Sequence, residues 1–228
     1  FAARDGEVEP VLQAADAVRQ KLCGDTVSYV VTRNINYTNI CSYRCSFCAF
    51  AKGKTHEKLR GKPYNLDPEV VADRAVEAWN KGAVEVCLQG GIHPSYTGQT
   101  YLDILSAIKN RLPDMHVHAF SPLEIFQGAE TLGVSVDHFL GQLKDTGLGS
   151  LPGTAAEILD DRIRVNLCPD KVNTQQWFDV INSAHRRGIP TTATIMYGHI
   201  EQPVHWAKHL LGLRQQQQKT GGFTELVP

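Results

Sequence analysis

Hydrophobic positions along the chain switch between a strand-like and a helix-like period. A short apolar run over residues 28–36, with Tyr29, Val30, Val31 and Ile35, predicts a first strand. From residue 68 the period lengthens: Val71, Ala75, Ala78 and Trp79 share a helical face, Asp67 stands at the N-cap, Pro68 at the first helical position and Gly82 at the stop. VEVCLQ (84–89) predicts a second strand, which ends in the turn GGIHP. Leu102, Leu105, Ile108 and Leu112 mark the next helix, with Thr100 and Asp103 as its expected capping box.

A third strand is expected over 116–120, followed by SPLEIF and a helix near 136–144, then a short fourth strand at 148–151. Residues 160–169 read equally as a strand or an extended loop. Thr174 is the expected cap of a helix over 175–187, stopped by Gly188. TTATIMY (191–197) predicts a fifth strand, and FTELV (223–227) a sixth. Between them a helix starts at Pro203 and carries Trp206, Leu210 and Leu213; its run of glutamines at 215–218 reads as a solvated face.

Strict alternation of strand and helix argues for a parallel sheet with helices outside. We expect an α/β fold, a partial (β/α) TIM-type barrel of about six units. Residues 1–27 are expected to form a helical lead-in, and 28–228 the barrel core, incomplete at its C-terminal end. A doubly wound open sheet explains the same alternation. In a barrel, chemistry gathers at the C-terminal ends of the strands. There the sequence places the cysteines after strand one, Gly90 and Gly91 after strand two, Glu124 past strand three, Glu157 past strand four, and Tyr197, His199 and Glu201 at strand five.

Composition narrows the classes. A formal net charge of −1 gives no electrostatic case for a nucleic-acid partner. No apolar run is long enough for a membrane span, and no leader opens the chain, so a cytoplasmic protein is expected, or one inside an organelle in a eukaryote. The chain starts at Phe1 and ends on a strand, as an excerpt of a longer protein would. Its six cysteines sit in a large Val/Leu/Ile-rich chain, unlike a small secreted disulfide scaffold, so reduced thiols serving as ligands are expected.

Three of those cysteines fall within CSYRCSFC (41–48). Thiolates so spaced suit zinc, copper(I) or iron–sulfur. Structural zinc takes four protein ligands, and His56 is the nearest downstream histidine for such a set. An iron–sulfur cluster with three protein ligands leaves one iron open for a substrate or cofactor. An electron-transfer module is the non-enzymatic alternative, but such carriers close their site with four ligands.

The C-x3-C-x2-C motif after a first barrel strand resembles the signature of the radical S-adenosylmethionine (SAM) enzymes. The resemblance implies a 4Fe–4S cluster on Cys41, Cys45 and Cys48, with SAM on its open iron. Cluster and SAM then supply a 5′-deoxyadenosyl radical that abstracts hydrogen from substrate. It also implies Phe47 on the adenine side and Gly90–Gly91 backbone beside the SAM amino group. Glycine permits that approach; the plainer reading is an ordinary βα turn.

RNINYTNICSYRCSFCAF, QGGIHP, HAFSPLEI, LPGTAAEIL, TIMYGHIEQPVHWAKHL and TGGFTELVP extend the likeness over nearly the whole chain. Together they resemble the CofH-type component of FO synthase, which makes the deazaflavin of coenzyme F-420. That implies joining L-tyrosine, as its 4-hydroxybenzyl fragment, to 5-amino-6-(D-ribitylamino)uracil with release of 2-iminoacetate. A CofG-type radical SAM component, separate or fused, closes the ring, and an unidentified electron donor reduces the cluster. The futalosine-route enzymes, aminofutalosine synthase and dehypoxanthine futalosine cyclase, are similar around the cysteines and GGIHP.

Under this resemblance Glu124 and Glu157 are candidates to hold the amino group of SAM or tyrosine, against a reading as helix-end charges. Arg164 is a candidate fork for a carboxylate. Tyr197 and His199 are candidates for proton handling. Which way His118 points is open, since the strand is too short to assign its faces. Asn36 and Asn39 are expected to shape the cysteine loop. Cys87 reads as a buried small hydrophobe. The three tryptophans read as core, and His205 and His209 as surface.

Overall fold

The computed structural model describes residues 4–51 and 62–228; the region of His56 lies outside them. Residues up to Val30 form one compact unit and Val31–Pro228 another. The first contains helix α1 (Val8–Cys23), which ends at Gly24 in positive φ, where Arg19 reaches the Gly24 carbonyl.

The second unit holds the strands. They are β1 (Thr32–Asn36), β2 (Glu85–Gln89), β3 (His116–Ala119), β4 (Thr191–Thr194) and β5 (Phe223–Val227), all parallel to their neighbours. β1 begins at Thr32, not near residue 28, because its ladder with β2 starts at the Thr32–Glu85 pair. A strand extends only as far as its partner supplies groups to bond. β4 ends at Thr194, so Tyr197 lies beyond it.

The expected fourth strand is reduced to two bridges. Ser150 pairs with His118 on β3, and Leu151 pairs with Thr191 on β4. Those two residues join the sheets β1-β2-β3 and β4-β5 into one wall whose strands follow chain order without reversal. A doubly wound sheet reverses its order at a switch point, whereas a barrel does not. The fold is therefore a partial (β/α) barrel wall.

Helices α2 (Pro68–Asn80), α3 (Gly98–Arg111), α4 (Pro122–Leu132) and α5 (Val136–Thr146) cover one face of β1–β3. Ile35, Val86, Leu88, Val117 and Ala119 point into that core, against Val71, Ala75, Tyr101, Ile104, Leu105 and Phe139. Period-2 alternation puts the intervening polar residues on the opposite, interior face. Asn34, Cys87 and His118 fall in one row across it. The orientation of His118 is thereby settled: its Nδ1 meets Ser150 Oγ at 2.7 Å, and burial, with His116 nearby, lowers its pKa to about 4. Cys87 shares this polar face and takes a contact from Gln89 Nε2, so it is not the buried hydrophobe expected.

Several local readings are corrected. SPLEIF opens α4: Ser121 caps it, Pro122 holds the first position, and Glu124 completes the capping box. The capping box of α3 is Thr97 with Thr100, not Thr100 with Asp103. Residues 160–169 are neither strand nor loop but helix α6 (Asp161–Leu167), capped by Asp160, with Ile163 and Leu167 buried one turn apart. Asn173, not Thr174, caps α7 (Thr174–Arg186), because its side chain accepts the Gln176 N–H. On α8 (Pro203–Thr220), Gln216 is buried while its neighbours in the glutamine run are exposed. His209 is 0% exposed rather than on the surface. It accepts the Leu159 N–H on Nδ1 and bonds the Thr194 carbonyl through Nε2, pinning α8 across the ends of the barrel wall.

Candidate cofactor and active site

One cavity of about 200 Å³ lies at the C-terminal ends of the strands. Cys41, Cys45 and Cys48 line it together with Gly90, Gly91, Glu124, Thr154, Glu157 and Lys171. Six of the candidate residues from the sequence thus meet here with Glu157. Phe47, Arg164, Tyr197 and His199 are not among its lining residues.

The cysteine loop is held by backbone bonds to two distant segments. Ser42 N–H and Oγ both donate to the Ile92 carbonyl, at 2.9 and 2.8 Å. Ser46 N–H donates to the Leu167 carbonyl at 2.9 Å. Two sulfurs receive backbone N–H contacts: Cys41 from Ile92 at 3.4 Å and Cys48 from Ala51 at 3.3 Å. Such contacts favour a sulfur carrying negative charge. Burial pushes the Cys45 thiol up to about 11, with the Lys171 ammonium acting in the opposite direction. Asn39 ties the chain just before the loop to another segment, donating to the Lys62 carbonyl and accepting the Tyr64 N–H. Among the described residues no group of three His, Cys, Asp or Glu side chains is placed to hold a single metal ion.

The Gly90–Gly91 turn presses against the chain that leads into the cysteines. A Cβ on Gly90 would lie 2.3 Å from the Tyr37 ring, and one on Gly91 2.2 Å from the Ile40 carbonyl oxygen. Glycine is required at both for that close approach, and the turn keeps its place on the cavity wall.

Glu124 is 1% exposed. Its Oε2 accepts the Ser121 N–H and hydroxyl, both at 2.6 Å, and its Oε1 accepts the Tyr37 hydroxyl. Gly90 N–H also bonds the carboxylate. Burial raises the pKa of Glu124 and these donors oppose the rise. The carboxylate therefore ties β1, the glycine turn and the start of α4 to one point.

Residues 154–158 form the other wall. Ala155 and Glu157 both adopt positive φ, a conformation costly for residues other than glycine. Arg164, 3% exposed, holds the segment in place. Its guanidinium donates to the carbonyls of Ala155, Ala156, Ile158 and Val172. Glu157 accepts from Lys171 Nζ at 2.6 Å. Thr154 Oγ1 is buried on the cavity wall without a hydrogen-bond partner among the described residues. Phe47 packs beneath the loop, with Lys171 Nζ 5.5 Å from its ring centroid. Tyr197 and His199 are exposed; Tyr197 meets Trp206 edge-on, and His199 N–H donates to Glu201.

Sequence reasoning missed Lys171, Gln89 and Thr154 as wall residues, and Tyr37 behind the glycine turn. No local spacing marks them. Ser121 and Glu124 did carry a signal, the S-x-x-E pattern with proline behind the serine.

Comparison with known proteins adds an independent line. The model of the radical SAM superfamily matches residues 35–211. FO synthase of Streptomyces avermitilis is 51% identical over 220 residues, covering 96% of this chain and 25% of that protein. The 5-amino-6-(D-ribitylamino)uracil–L-tyrosine 4-hydroxyphenyl transferase of Methanothermobacter thermautotrophicus is 48% identical, covering 97% of this chain and 59% of its own length. The chain thus spans a quarter to three-fifths of these relatives. Among solved structures, methylornithine synthase superposes with a TM-score of 0.71 at 17% identity, over 94% of this chain and 58% of that one. The FeFe-hydrogenase maturase HydG of Carboxydothermus hydrogenoformans gives 0.70 at 18% identity, over 100% and 51%. At such identities these likenesses speak for the fold alone. With the family model spanning most of the chain and this fold beneath it, the chain belongs to the radical SAM superfamily.

Proposed function

We propose that this chain is the cofactor-bearing part of a radical SAM transferase that joins L-tyrosine to 5-amino-6-(D-ribitylamino)uracil in FO synthesis. The observation that carries the cofactor half of this reading is the convergence of Cys41, Cys45 and Cys48 on one cavity with the glycine turn. The donor set fits a 4Fe–4S cluster. The three cysteines line one space, and two of the sulfurs already receive N–H contacts. When bound, cluster and SAM supply the radical chemistry.

The chain's own residues bind, orient and exclude water. Gly90 and Gly91 let the turn sit against the chain entering the cysteine loop, which keeps their backbone on the cavity wall, and Glu124 locks that turn from behind. Glu157 offers a carboxylate for an amino group, and Thr154 Oγ1 an unpartnered hydroxyl. Arg164 serves by holding the 154–158 segment. Tyr197 and His199 are assigned proton handling at the β4 end, outside the cavity wall. The substrate half rests on relatives at 48–51% identity that carry the transferase and FO synthase names. A CofG-type component, fused or separate, and an electron donor complete the assignment. No helix among the described residues is long and apolar enough to cross a membrane.

The test uses the full-length protein, reconstituted anaerobically with iron and sulfide, given a reductant, SAM, tyrosine and the ribitylaminouracil. Mass spectrometry is expected to find 5′-deoxyadenosine together with the hydroxybenzyl adduct. Deoxyadenosine without adduct would overturn the substrates and point to futalosine-type ones. Neither product from a cluster-loaded protein would overturn the enzyme assignment.

A further inference from the structure

Lys171 is the one cation among the described residues lining the cavity. Its side chain is 14% exposed and that of its partner Glu157 is 11% exposed. Lys171 Nζ donates to Glu157 Oε1 at 2.6 Å, and this ion pair offsets the desolvation that works against a buried ammonium. The charge is therefore held permanently at a place where water screens it poorly.

The position of that charge is fixed relative to the cysteine loop by bonds on both sides. Lys171 N–H donates to the Cys168 carbonyl at 3.1 Å, and the adjacent Leu167 carbonyl takes Ser46 N–H and, at 3.2 Å, Ser46 Oγ. Ser46 lies between Cys45 and Cys48. Lys171 Nζ stands 5.5 Å from the ring centroid of Phe47, the residue between Ser46 and Cys48. A cluster responds to a nearby cation, because its potential depends on net charge, hydrogen bonds to sulfur and exposure.

We propose that Lys171 and Glu157 set the reduction potential of the cluster held by Cys41, Cys45 and Cys48, Lys171 raising it and Glu157 lowering it. This rests on the reading of those cysteines as cluster ligands. In the step concerned, one electron from an external low-potential reductant enters the oxidised cluster, and no bond or proton changes place. The reduced cluster carries one more negative charge. A fixed ammonium on the wall stabilises that form more than the oxidised one, and a fixed carboxylate does the reverse.

The experiment is a potentiometric titration of the full-length, anaerobically reconstituted protein without SAM, read by electron paramagnetic resonance of the reduced cluster. Lys171→Met is expected to lower the midpoint and cut the reduced fraction at fixed potential roughly tenfold, about 59 mV for one electron. Glu157→Gln is expected to move the midpoint upward, and Lys171→Arg to leave it near wild type. Loss of packing alone would expose the cluster in both neutral variants and move them the same way. Same-sign shifts, or midpoints equal to wild type, overturn the proposal while leaving the ligand reading intact. Should Lys171→Met hold no iron, Glu157→Gln decides alone: an unchanged or lower midpoint overturns it. A wild-type protein that takes up no iron would instead bring down the ligand reading, and this inference with it.

Discussion

The cysteine loop at 41–48 and the segment at 154–171 line the same cavity but are built differently. The loop is irregular, carries its chemistry within eight residues, and is held mainly by backbone bonds to Ile92 and Leu167. The opposite segment holds two residues in positive φ and is organised by one buried guanidinium on four carbonyls. The difference follows from what each must do. A loop that receives an inorganic group needs its thiols free and its backbone donors aimed at them. A wall that offers a carboxylate and a hydroxyl to a small ligand must be rigid before the ligand arrives, and the burial of Arg164 supplies that rigidity.

Variants that separate the two regions sharpen this contrast. Cys45→Ser is expected to have the largest effect, abolishing the cluster while the fold survives. Absorbance and iron content after reconstitution, alongside circular dichroism, check both parts. Arg164→Met is expected to do the reverse. Leaving buried carbonyls unpaired costs about 1–3 kcal/mol for each, so a loss of about 3 kcal/mol or more in unfolding free energy is expected in urea titrations. Arg164→Lys should recover only part of it, since an ammonium lacks the planar fork.

Gly91→Ala touches the seam between glycine turn and loop. Its Cβ would sit 2.2 Å from the Ile40 carbonyl oxygen, so backbone must move. A destabilisation of about 1–3 kcal/mol is expected, together with a lower cluster yield, seen in the same titration and iron assay. Glu124→Gln keeps the size of the side chain but gives an oxygen's place to an NH2 donor facing groups that already donate. It should cost about 1–2 kcal/mol, with Glu124→Ala costing more.

The last test is a pH dependence away from the cavity. Burial lowers the pKa values of His118, His185 and His209 to about 4 from 6.5. Their folded values are depressed, so the unfolded chain binds protons first as pH falls. Stability should be fully present above about 6.5 and decline between there and about 4, with a slope of up to about 1.4 kcal/mol per pH unit for each histidine. Denaturation midpoints at pH 7, 6 and 5 check the slope, and His209→Gln should reduce it.

Sequence alone determined the alternation of strands and helices and the cysteine triplet, because both are written in spacing that neighbours along the chain can satisfy. Hydrophobic period sets which face of an element is buried, and three thiols within eight residues can reach one space. It also contained the S-x-x-E start of α4 and the Asp160 cap of α6, signals carried by a few residues within short, mixed stretches. Tertiary structure alone decided the rest. The barrel winding depends on two residues, Ser150 and Leu151, too few to leave a periodic trace. His209, expected on the surface, is buried because the end of the wall needed a donor and an acceptor at one place. Lys171 joined the cavity through its own bond to Glu157, 14 residues away along the chain, and through the nearby Leu167 carbonyl, which accepts from Ser46, 121 residues from it. Charge and hydrogen bonding act through space, so a chain read in one dimension shows which groups exist, and only folding shows which of them meet.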